Sequence, residues 1–427
     1  MRLHLRGANT PGFELFEMHV CWITTSFPRF EGDHAGVWFI GLAKGLISRG
    51  VKLTVIAPHD AEAPRHESMR GIDVHRFRYW WPESQQRLCY GYGMPENVRR
   101  SPLLRFQLGP LFLNGALSCL KNTGSVDVIH AFWTLNAIIG APARSIRRLP
   151  LLLTILGSGI RSAPRWLNRI SLSQADAIVS ATAEQCQLLA GYGYRGPVID
   201  IKQTNMLDLQ RLEESRPLEP ELANWCAGGS AVVTFIARLD PFKDPVGFIR
   251  AIPSVLKQHP RARFLAVGDG SARAKVEAEV ERLGVEESVR LTGMRDNVGS
   301  LLRASTVFVA NSPISNCYSA TILEAMEIGV PCVVTDVGDP TGSFTAKDYV
   351  EPVRAKDPVD LARGIVRLLA DSELRQRRAR MGRLFLEDYG FNADTVLDRS
   401  LDTYRALMQR RHRKPGNWPT HLQDYSG

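Results

Sequence analysis

The chain has 427 residues, a formal net charge of +9 and a sequence pI of about 9.3. This length exceeds one ordinary domain and is enough for two domains with large buried cores. The 7 cysteines form no Cys-x-x-Cys pair and no cysteine–histidine cluster with zinc spacing, which argues against a disulfide scaffold and a structural metal site. No apolar run reaches the roughly 18 residues of a membrane span. These features are typical of a cytoplasmic globular protein.

The positive charge suggests an anionic partner such as a nucleotide, a phospholipid or a nucleic acid. The alternative is a solvated surface that is rich in arginine. Part of the excess lies in the basic tail at 411–427, which says little about the body of the protein. No nucleic-acid-binding motif is visible, so we expect a negative result in a salt-dependent DNA shift assay.

The first half of the chain alternates apolar runs with helical patterns. Residues 1–17 lack the apolar core of a signal peptide, and are either an extension outside the fold or precede a natural start at Met18. The predicted strands of this half are 19–25, 52–58, 126–132, 151–156, 177–182 and 198–201.

The same pattern occurs a second time after a polar, Pro-containing segment at 209–229, which we interpret as a linker. Continuous Val/Ile/Leu runs between helices indicate parallel strands that are covered on both faces. The sequence therefore predicts two α/β domains at 18–208 and 230–390 that face each other across a cleft, with ligands beyond the carboxyl ends of the strands. The predicted strands of the second domain are 231–239, 263–270, 289–293, 306–312 and 331–337, and a long helical stretch covers 358–410, of which 391–410 is expected to cross back to the first domain.

Two cations follow the first strand of the second domain. Arg238 and Lys243 lie in RLDPFKDP, on either side of Pro241. At the carboxyl end of a parallel strand they are expected to converge on a diphosphate, with the arginine bidentate and the lysine as a point charge. The alternative is a pair of solvated loop charges.

Two further strand ends have features of a ligand site. In VGDGS, Gly268 and Gly270 allow a close approach of the backbone to a ligand, although any tight strand-to-helix turn has the same requirement. In LTGMRDNV, the backbone from Met294 through Arg295 to Asp296 is in a place to meet a flat base.

The stretch SNCYSATILEAM predicts a loop that runs into a helix over 319–328, which Gly329 and Pro331 end. Ser319 is a candidate N-cap, and the positive end of a helix favours phosphate. Glu324 lies one to two turns into this helix, where a carboxylate can accept hydrogen bonds from sugar hydroxyls such as a ribose 2′/3′ pair. The alternative is an exposed helix acid.

Together these motifs resemble the retaining glycosyltransferases of the GT-B fold, specifically family 4, which includes bacterial α-mannosyl- and α-glucosyltransferases. The family's Arg-x4-Lys, Gly-x-Gly turn and Glu-x7-Glu helix correspond to RLDPFK, VGDG and NCYSATILEAMEIGVPCVV. In the first half, WITTSFPRFEGDHAG, DVIHAFW and TILGSGI take the places of the family's glycine loop, Asp-Val-Ile-His-Ala-His-Trp and Thr-x-His-Gly-Ser-Asp. The resemblance covers roughly residues 18–408.

The resemblance implies two Rossmann-like domains, a UDP-, GDP- or ADP-sugar as donor substrate, a glycan or lipid-linked acceptor, and neither a cofactor nor a metal ion. In the family the arginine and lysine hold the diphosphate and the second glutamate binds ribose, which assigns these roles to Arg238, Lys243 and Glu324. The implied donor-binding residues are completed by Gly32, Gly36, Gly268, Gly270, Met294, Arg295, Tyr318, Ser319 and Ala320, and the acceptor-side candidates are Asp33, His130, Leu156 and Ser158.

The chain departs from the family at the sugar end of the site. Asn316 stands at the position of the first glutamate, which contacts the transferred sugar, and Leu156 replaces a histidine. An asparagine still forms hydrogen bonds but supplies no negative charge. Two accounts fit: an active transferase for surface polysaccharide or glycolipid synthesis with an unusual sugar or acceptor, or a non-catalytic partner subunit that binds a nucleotide sugar. Phe132 replaces the second histidine of its motif, and His130 is interpreted as a structural histidine.

Arginine and aromatic residues alternate in 76–121, before an apolar stretch that Gly and Pro interrupt. This pattern suggests an amphipathic surface that lies on an anionic membrane at its cytoplasmic face. The alternative is a set of ordinary helices that pack on the sheet.

Overall fold

The computed structural model describes residues 18–30, 33, 35–36, 38–60, 63–91, 93–156, 160, 163–180, 183–201, 212–213, 215–313, 319–337, 348–391 and 393–410. These residues form two compact α/β units. Unit 1 contains the described residues up to Val179, those of Leu189–Ile199, and the last helix from Leu401 onward. Unit 2 contains the described residues of Ser180–Leu188 and of Asp200–Ser400.

Unit 1 is built on one eight-stranded sheet. Its strands are β1 (Met18–Ile23), β2 (Val51–Pro58), β3 (His66–Met69), β4 (Ile72–Phe77), β5 (Val128–Phe132), β6 (Leu151–Thr154), β7 (Ala177–Val179) and β8 (Val198–Ile199). The order is β3-β4-β2-β1-β5-β6-β7-β8, and every neighbouring pair is parallel except the β3–β4 hairpin at one edge. The parallel core of the sheet confirms the fold class, because its strands are the apolar runs that the sequence shows.

Three helices, at Trp38–Ile47, Leu108–Asn122 and Asn136–Arg147, pack on this sheet. The core lies around Trp22, whose ring contacts Phe39 and Phe132 at centroid distances of 5.6 and 5.3 Å. The helices are α1 (Trp38–Ile47), α2 (Met94–Arg100), α3 (Leu108–Asn122), α4 (Asn136–Arg147), α5 (Arg165–Leu172) and α6 (Ala183–Gly191).

The stretch Pro102–Asn122 is long and apolar enough to cross a membrane by length and composition, so the expectation that no stretch qualifies is wrong. That expectation counted only uninterrupted apolar residues, whereas Gly, Pro and Asn residues interrupt this helix. One side of α3 is buried, and a Cβ on Gly115 would lie 3.0 Å from Ile139 of α4 and 3.0 Å from Phe77 of β4. The helix therefore packs closely on unit 1 along this side.

Unit 2 contains a six-stranded parallel sheet. The strands are β9 (Ala231–Ile236), β10 (Ala262–Val267), β11 (Val289–Gly293), β12 (Val307–Ala310), β13 (Cys332–Asp336) and β14 (Glu351–Arg354). Their order is β11-β10-β9-β12-β13-β14, so the strand order reverses direction beside β9. In such sheets the carboxyl ends of the strands next to the reversal form the usual ligand site.

The helices of unit 2 differ from the sequence prediction in two places. The predicted linker contains a helix, and the predicted long stretch at 358–410 is three helices rather than one. Asp357 and Asp371 cap two of these helices, because each carboxylate accepts hydrogen bonds from backbone N–H groups of the first turn. The helices are α7 (Pro220–Ala227), α8 (Pro245–Leu256), α9 (Arg273–Leu283), α10 (Val298–Arg303), α11 (Ala320–Ile328), α12 (Pro358–Ala370), α13 (Ser372–Asp388) and α14 (Ala393–Arg410), of which α14 runs from unit 2 into unit 1.

Candidate functional site

The strand-end loop after β9 carries both predicted cations. Arg238 has 55% of its side chain exposed and pairs with Asp240, with Nη2 3.2 Å from Oδ2. Lys243 ends a short 3-10 turn over Pro241–Lys243. Both cations lie over the ring of Phe242, with the Arg238 guanidinium carbon 5.2 Å and the Lys243 Nζ 5.6 Å from its centroid. The two positive charges are therefore brought close to one aromatic ring of a single loop.

The electrostatic environment of Lys243 favours an anionic ligand. Burial lowers the pKa of its ammonium group, and the nearby Arg238 lowers it further. A dianion bound between them would neutralise both charges and remove the repulsion between them. The loop is thus arranged to gain more from a diphosphate than an ordinary exposed lysine does.

Four polar residues that the sequence analysis missed fix this loop. Asp244, in the left-handed region at φ 49°, caps α8 by accepting a hydrogen bond from Gly247 N at 3.1 Å. Asn311, just after β12, donates from Nδ2 to the Asp244 carboxylate and carbonyl at 3.1 Å each. Thr335 of β13 donates to the Asn311 side chain at 3.1 Å, and Ser312 donates to the Phe242 carbonyl at 2.8 Å.

The pKa of Asp244 is shifted upward. Burial raises it, while hydrogen bonds from Gly247 and Asn311 act in the opposite direction. Asp244 is consequently a structural anchor of the loop. It holds the backbone directly after Lys243, which ends the 3-10 turn.

The predicted glycine turn after β10 is explained by close packing of two loops. A Cβ on Gly268, which has φ +131°, would lie 1.9 Å from the Ala237 carbonyl oxygen. A Cβ on Gly270 would lie 2.7 Å from the Leu239 carbonyl. Leu239 N donates to Asp269 O at 2.9 Å across the same gap. Both glycines therefore serve the contact with the loop that carries Arg238, and they help to fix the position of that loop.

Helix α11 begins and ends as the sequence predicts, at Ala320 and before Gly329, which adopts φ +83°. Ser319 holds the N-cap position, but its side chain forms no cap hydrogen bond in the described part of the chain. Glu324 is only 9% exposed, so its interpretation as an exposed helix acid is wrong. Because β12 lies next to β9, the start of α11 is on the same edge of the sheet as Arg238.

The segment after β11 forms hydrogen bonds with the residues that precede α7. Arg295 Nη1 donates to Glu219 Oε1 at 2.6 Å, and Asn297 Nδ2 donates to the Pro217 carbonyl at 3.3 Å. Met294 is 47% exposed. The Arg295 side chain thus has a structural partner, whereas the exposed side chain of Met294 is accessible to a ligand.

In unit 1, the acceptor-side candidate Asp33 is enclosed by its own loop. Its carboxylate accepts hydrogen bonds from Arg29 Nε at 2.7 Å, Arg29 N at 3.0 Å and Ala35 N at 3.1 Å. Arg29 also donates to Asp60 at 2.5 Å. Burial alone would raise the pKa of Asp33, but the hydrogen bonds from Arg29 and Ala35 hold it below its usual value. The geometry therefore indicates a loop anchor, in contrast to the acceptor-side role that the sequence suggested.

Gly36, an implied donor-binding residue, makes a close backbone contact within unit 1. Gly36 has φ +67°, and a Cβ there would lie 2.7 Å from the Ser26 carbonyl oxygen. The turn is thus held against the end of β1, where only glycine fits.

His130 is a structural histidine, as the sequence analysis inferred, and its place among the acceptor-side candidates is corrected. Its side chain is fully buried, Nδ1 is 2.7 Å from the Tyr404 hydroxyl, and Nε2 is 2.6 Å from Thr154 Oγ1. Burial lowers its pKa to about 3, so the ring is neutral. Phe132, at the position of the missing histidine, packs on this ring at 4.0 Å.

Leu156, two residues after β6, is partly exposed, as expected of a residue at a strand end. The other predicted site residues, Gly32, Ser158, Asn316 and Tyr318, lie outside the described residues.

Two family models match the chain, one in each half. The model described as Glycosyl transferase 4-like domain matches residues 36–201, and the model described as Glycosyl transferases group 1 matches residues 230–371. The crystal structure of Anabaena HepE in complex with UDP-glucose is similar in fold, with a TM-score of 0.65 and 17% identity over 91% of this chain and 100% of that chain. The two parallel-sheet units therefore have the GT-B fold.

Curated relatives extend the similarity along the whole chain. An uncharacterised glycosyltransferase of Methanocaldococcus jannaschii is 24% identical over 92% of this chain and 99% of its own length. The D-inositol 3-phosphate glycosyltransferase of Nocardia farcinica is 28% identical over 68% of each chain. Since the two family models together match well over half of its residues, this chain belongs to the GT-B glycosyltransferases.

Proposed function

We propose that the protein transfers a hexose from a nucleoside-diphosphate sugar to a glycan or lipid-linked acceptor, with retention of the anomeric configuration, in the synthesis of a surface polysaccharide or glycolipid. The observation that carries this proposal is the pairing of Arg238 with a desolvated Lys243 at the carboxyl end of the central strand. The UDP-glucose held by HepE and the glycosyltransferase activities of the relatives support it.

In this proposal the two cations stabilise the charge that develops on the leaving diphosphate. Removing one preorganised donor of this kind costs about 100- to 1000-fold in rate in other enzymes. Glu324 accepts hydrogen bonds from the ribose, and the start of α11 contributes backbone N–H groups to the phosphates. The leaving phosphate then takes the proton of the acceptor hydroxyl on the same face of the sugar, which keeps the configuration and needs no negative charge at Asn316.

The test is a binding and turnover assay of the purified chain with UDP-, GDP- and ADP-sugars. We expect one nucleotide class to raise the melting temperature, because a ligand that binds the native state stabilises it. Arg238→Ala and Lys243→Ala should each weaken nucleoside diphosphate binding at least about tenfold. Lys257→Ala, on the exposed end of α8, is the matched control and should bind as the wild type does. The absence of binding by any of these nucleotides at millimolar concentration would contradict the proposal.

The same assay separates catalysis from binding. Product with an α-linkage from an α-donor, seen by NMR, supports retention, and an inverted product contradicts it. Binding without transfer or donor hydrolysis would favour the alternative function, a non-catalytic subunit that binds a nucleotide sugar. Restoring Glu at position 316 should then create activity, whereas in an active enzyme the change alters sugar preference.

We also propose that unit 1 lies on the anionic cytoplasmic face of a membrane. Four apolar side chains on the outer side of the stretch that ends in α3 are 56 to 72% exposed: Leu103, Phe106, Leu113 and Leu117. Arg99, Arg100 and Arg105 flank them. Since the inner side of α3 packs on the sheet, this stretch fits a position along the membrane–water interface better than a transmembrane position. Flotation with vesicles of phosphatidylglycerol should retain the wild type and release Leu113→Asp/Leu117→Asp, and vesicles of phosphatidylcholine should retain neither.

A further inference from the structure

The hairpin at the edge of the unit 1 sheet brings two histidines and an aspartate together. His66 and His75 are directly opposite each other in β3 and β4, and their rings stack with centroids 4.4 Å apart. Asp73 precedes His75 by two residues on the same face of β4. Its carboxylate oxygens lie 2.7 Å from His66 Nε2 and 3.0 Å from His75 Nε2. One ligand atom from each residue lies within 4.8 Å of the other two.

We propose that His66, Asp73 and His75 bind a divalent transition-metal ion. Two imidazole nitrogens and one carboxylate oxygen suit Zn²⁺, Co²⁺ or Ni²⁺, whereas Mg²⁺ and Ca²⁺ prefer all-oxygen sites. Ligands of a tetrahedral Zn²⁺ lie about 2.1 Å from the metal and hence about 3.4 Å from one another. Small rotations of exposed side chains bring the three atoms to this spacing.

The surroundings of the cluster provide both access and rigidity. His66 is 64% exposed and Asp73 40% exposed, so water can reach the ion and complete its coordination. His75 is 22% exposed and holds the inner side. The ion takes the place of the two imidazole hydrogens that now point at the Asp73 carboxylate, and each proton moves to Nδ1 or to solvent.

The backbone fixes this arrangement without a long loop. Arg70 and Gly71 form a two-residue turn with φ of 52° and 82°, and left-handed residues of this kind set the register of a tight hairpin. On the other side, Thr54 of β2 is level with Asp73 and bonds to His19 Nε2 at 2.9 Å. A metal ion would therefore link the edge strand β3 to Asp73 of β4, which is level with Thr54 of β2. This site belongs to unit 1, whereas the loop that carries Arg238 belongs to unit 2.

The prediction that the chain has no metal site rested on zinc spacings of cysteine and histidine. The spacing His-x6-Asp-x-His is informative only when a hairpin turn lies between the first histidine and the aspartate. Such a turn brings residues that are nine positions apart face to face.

The test uses the tag-free full-length chain, treated with EDTA and exchanged into metal-free buffer. Calorimetric titration with ZnCl₂ should show one ion per chain, and titration with MgCl₂ should show none. Zn²⁺ should raise the melting temperature by mass action. Co²⁺ should give the visible absorption of a site with imidazole ligands.

His66→Ala and His75→Ala should each weaken Zn²⁺ binding at least about tenfold. Asp73→Asn keeps both imidazole rings and should also weaken Zn²⁺ binding. This variant separates the loss of a metal ligand from a disturbance of the hairpin that the loss of a ring could cause. His259→Ala, in unit 2, is the matched control. The proposal is overturned if the wild type binds no stoichiometric Zn²⁺, or if the double variant His66→Ala/His75→Ala binds it as tightly as the wild type. Neither result affects the nucleotide-binding test of the proposed function.

Discussion

The polar residues at the strand ends of unit 1 and unit 2 are used in opposite ways. In unit 1, the Asp33 carboxylate and both His130 ring nitrogens are occupied by partners within the unit. In unit 2, Arg238 pairs with Asp240 but remains half exposed, and the contacts described for Lys243 are an aromatic ring and the repulsion of Arg238. A charged residue beside the carboxyl end of a strand is thus a candidate ligand contact only if its partners within the unit leave its charge accessible.

The largest expected effect comes from filling the space between the loop after β9 and the turn after β10. Gly268→Ala places a methyl group against the Ala237 carbonyl oxygen at a positive φ. We expect the free energy of unfolding to fall by about 3 kcal/mol and nucleotide binding to be lost, because the loop that carries Arg238 must move. Urea unfolding and calorimetry measure the two effects.

The control for this change is Gly284→Ala. Gly284 has φ +62° and no atom of the described residues within 4 Å of a Cβ, so it carries the conformational cost without the clash. A loss of about 1 kcal/mol is expected there. Equal losses at the two positions would mean that the loop contact is unimportant.

Asp33→Ala tests whether the unit 1 loop is structural. The partly buried Arg29 pairs with the carboxylates of Asp33 and Asp60. In the variant only the pair with Asp60 remains of these two. We expect a loss of about 2 kcal/mol in the free energy of unfolding, with an unchanged dissociation constant for nucleotide. If turnover falls while stability does not, Asp33 is an acceptor-side residue after all and the comparison between the units fails.

His130 gives unit 1 a pH dependence with a definite sign. Its folded-state pKa of about 3 lies below the unfolded value, so the unfolded state takes up the proton as pH falls. Between pH 6.5 and 5.5 this residue should reduce the free energy of unfolding by about 1 kcal/mol. The stability difference between wild type and His130→Gln should therefore shrink over this range. A difference that stays constant with pH would mean that the ring is hydrated.

The smallest expected effect concerns the hydroxyl that His130 shares with the last helix. Tyr404→Phe removes a hydrogen bond to His130 Nδ1 and one from Trp22 Nε1 at 3.4 Å while keeping the ring. A loss of about 1 kcal/mol in the free energy of unfolding is expected, with normal nucleotide binding. A lowered nucleotide affinity would show that α14 affects unit 2 as well.

The pattern of apolar runs predicts most strands, including the edge strands β8 and β11, but misses β3, β4 and β14. The runs of β2 and β9 are mostly apolar, whereas β3 is the polar stretch HESM and β14 contains Pro352, which a strand tolerates at an edge. The helix α7 has a signal that was overlooked, since Pro220 stands at its first position.

The place of Arg238 and Lys243 on the loop after β9 was predictable from the sequence, but the residues that support this loop were not. Asn311, Thr335 and Asp244 come together because β9, β12 and β13 are neighbours in the sheet. That adjacency depends on the order of the strands, which the apolar runs do not contain. The burial of Asp33 likewise depends on Arg29 folding back on it, a local geometry that residue type alone does not determine.

The return of α14 to unit 1 has a consequence for the order in which the protein acquires its structure during synthesis. Leu401, Tyr404 and Leu407 are 0 to 5% exposed, and Tyr404 bonds to Trp22 of the very first strand. During translation β1 is synthesised nearly four hundred residues before Tyr404. All described residues of unit 2 are therefore synthesised before the last piece of unit 1, so unit 2 can complete its core first.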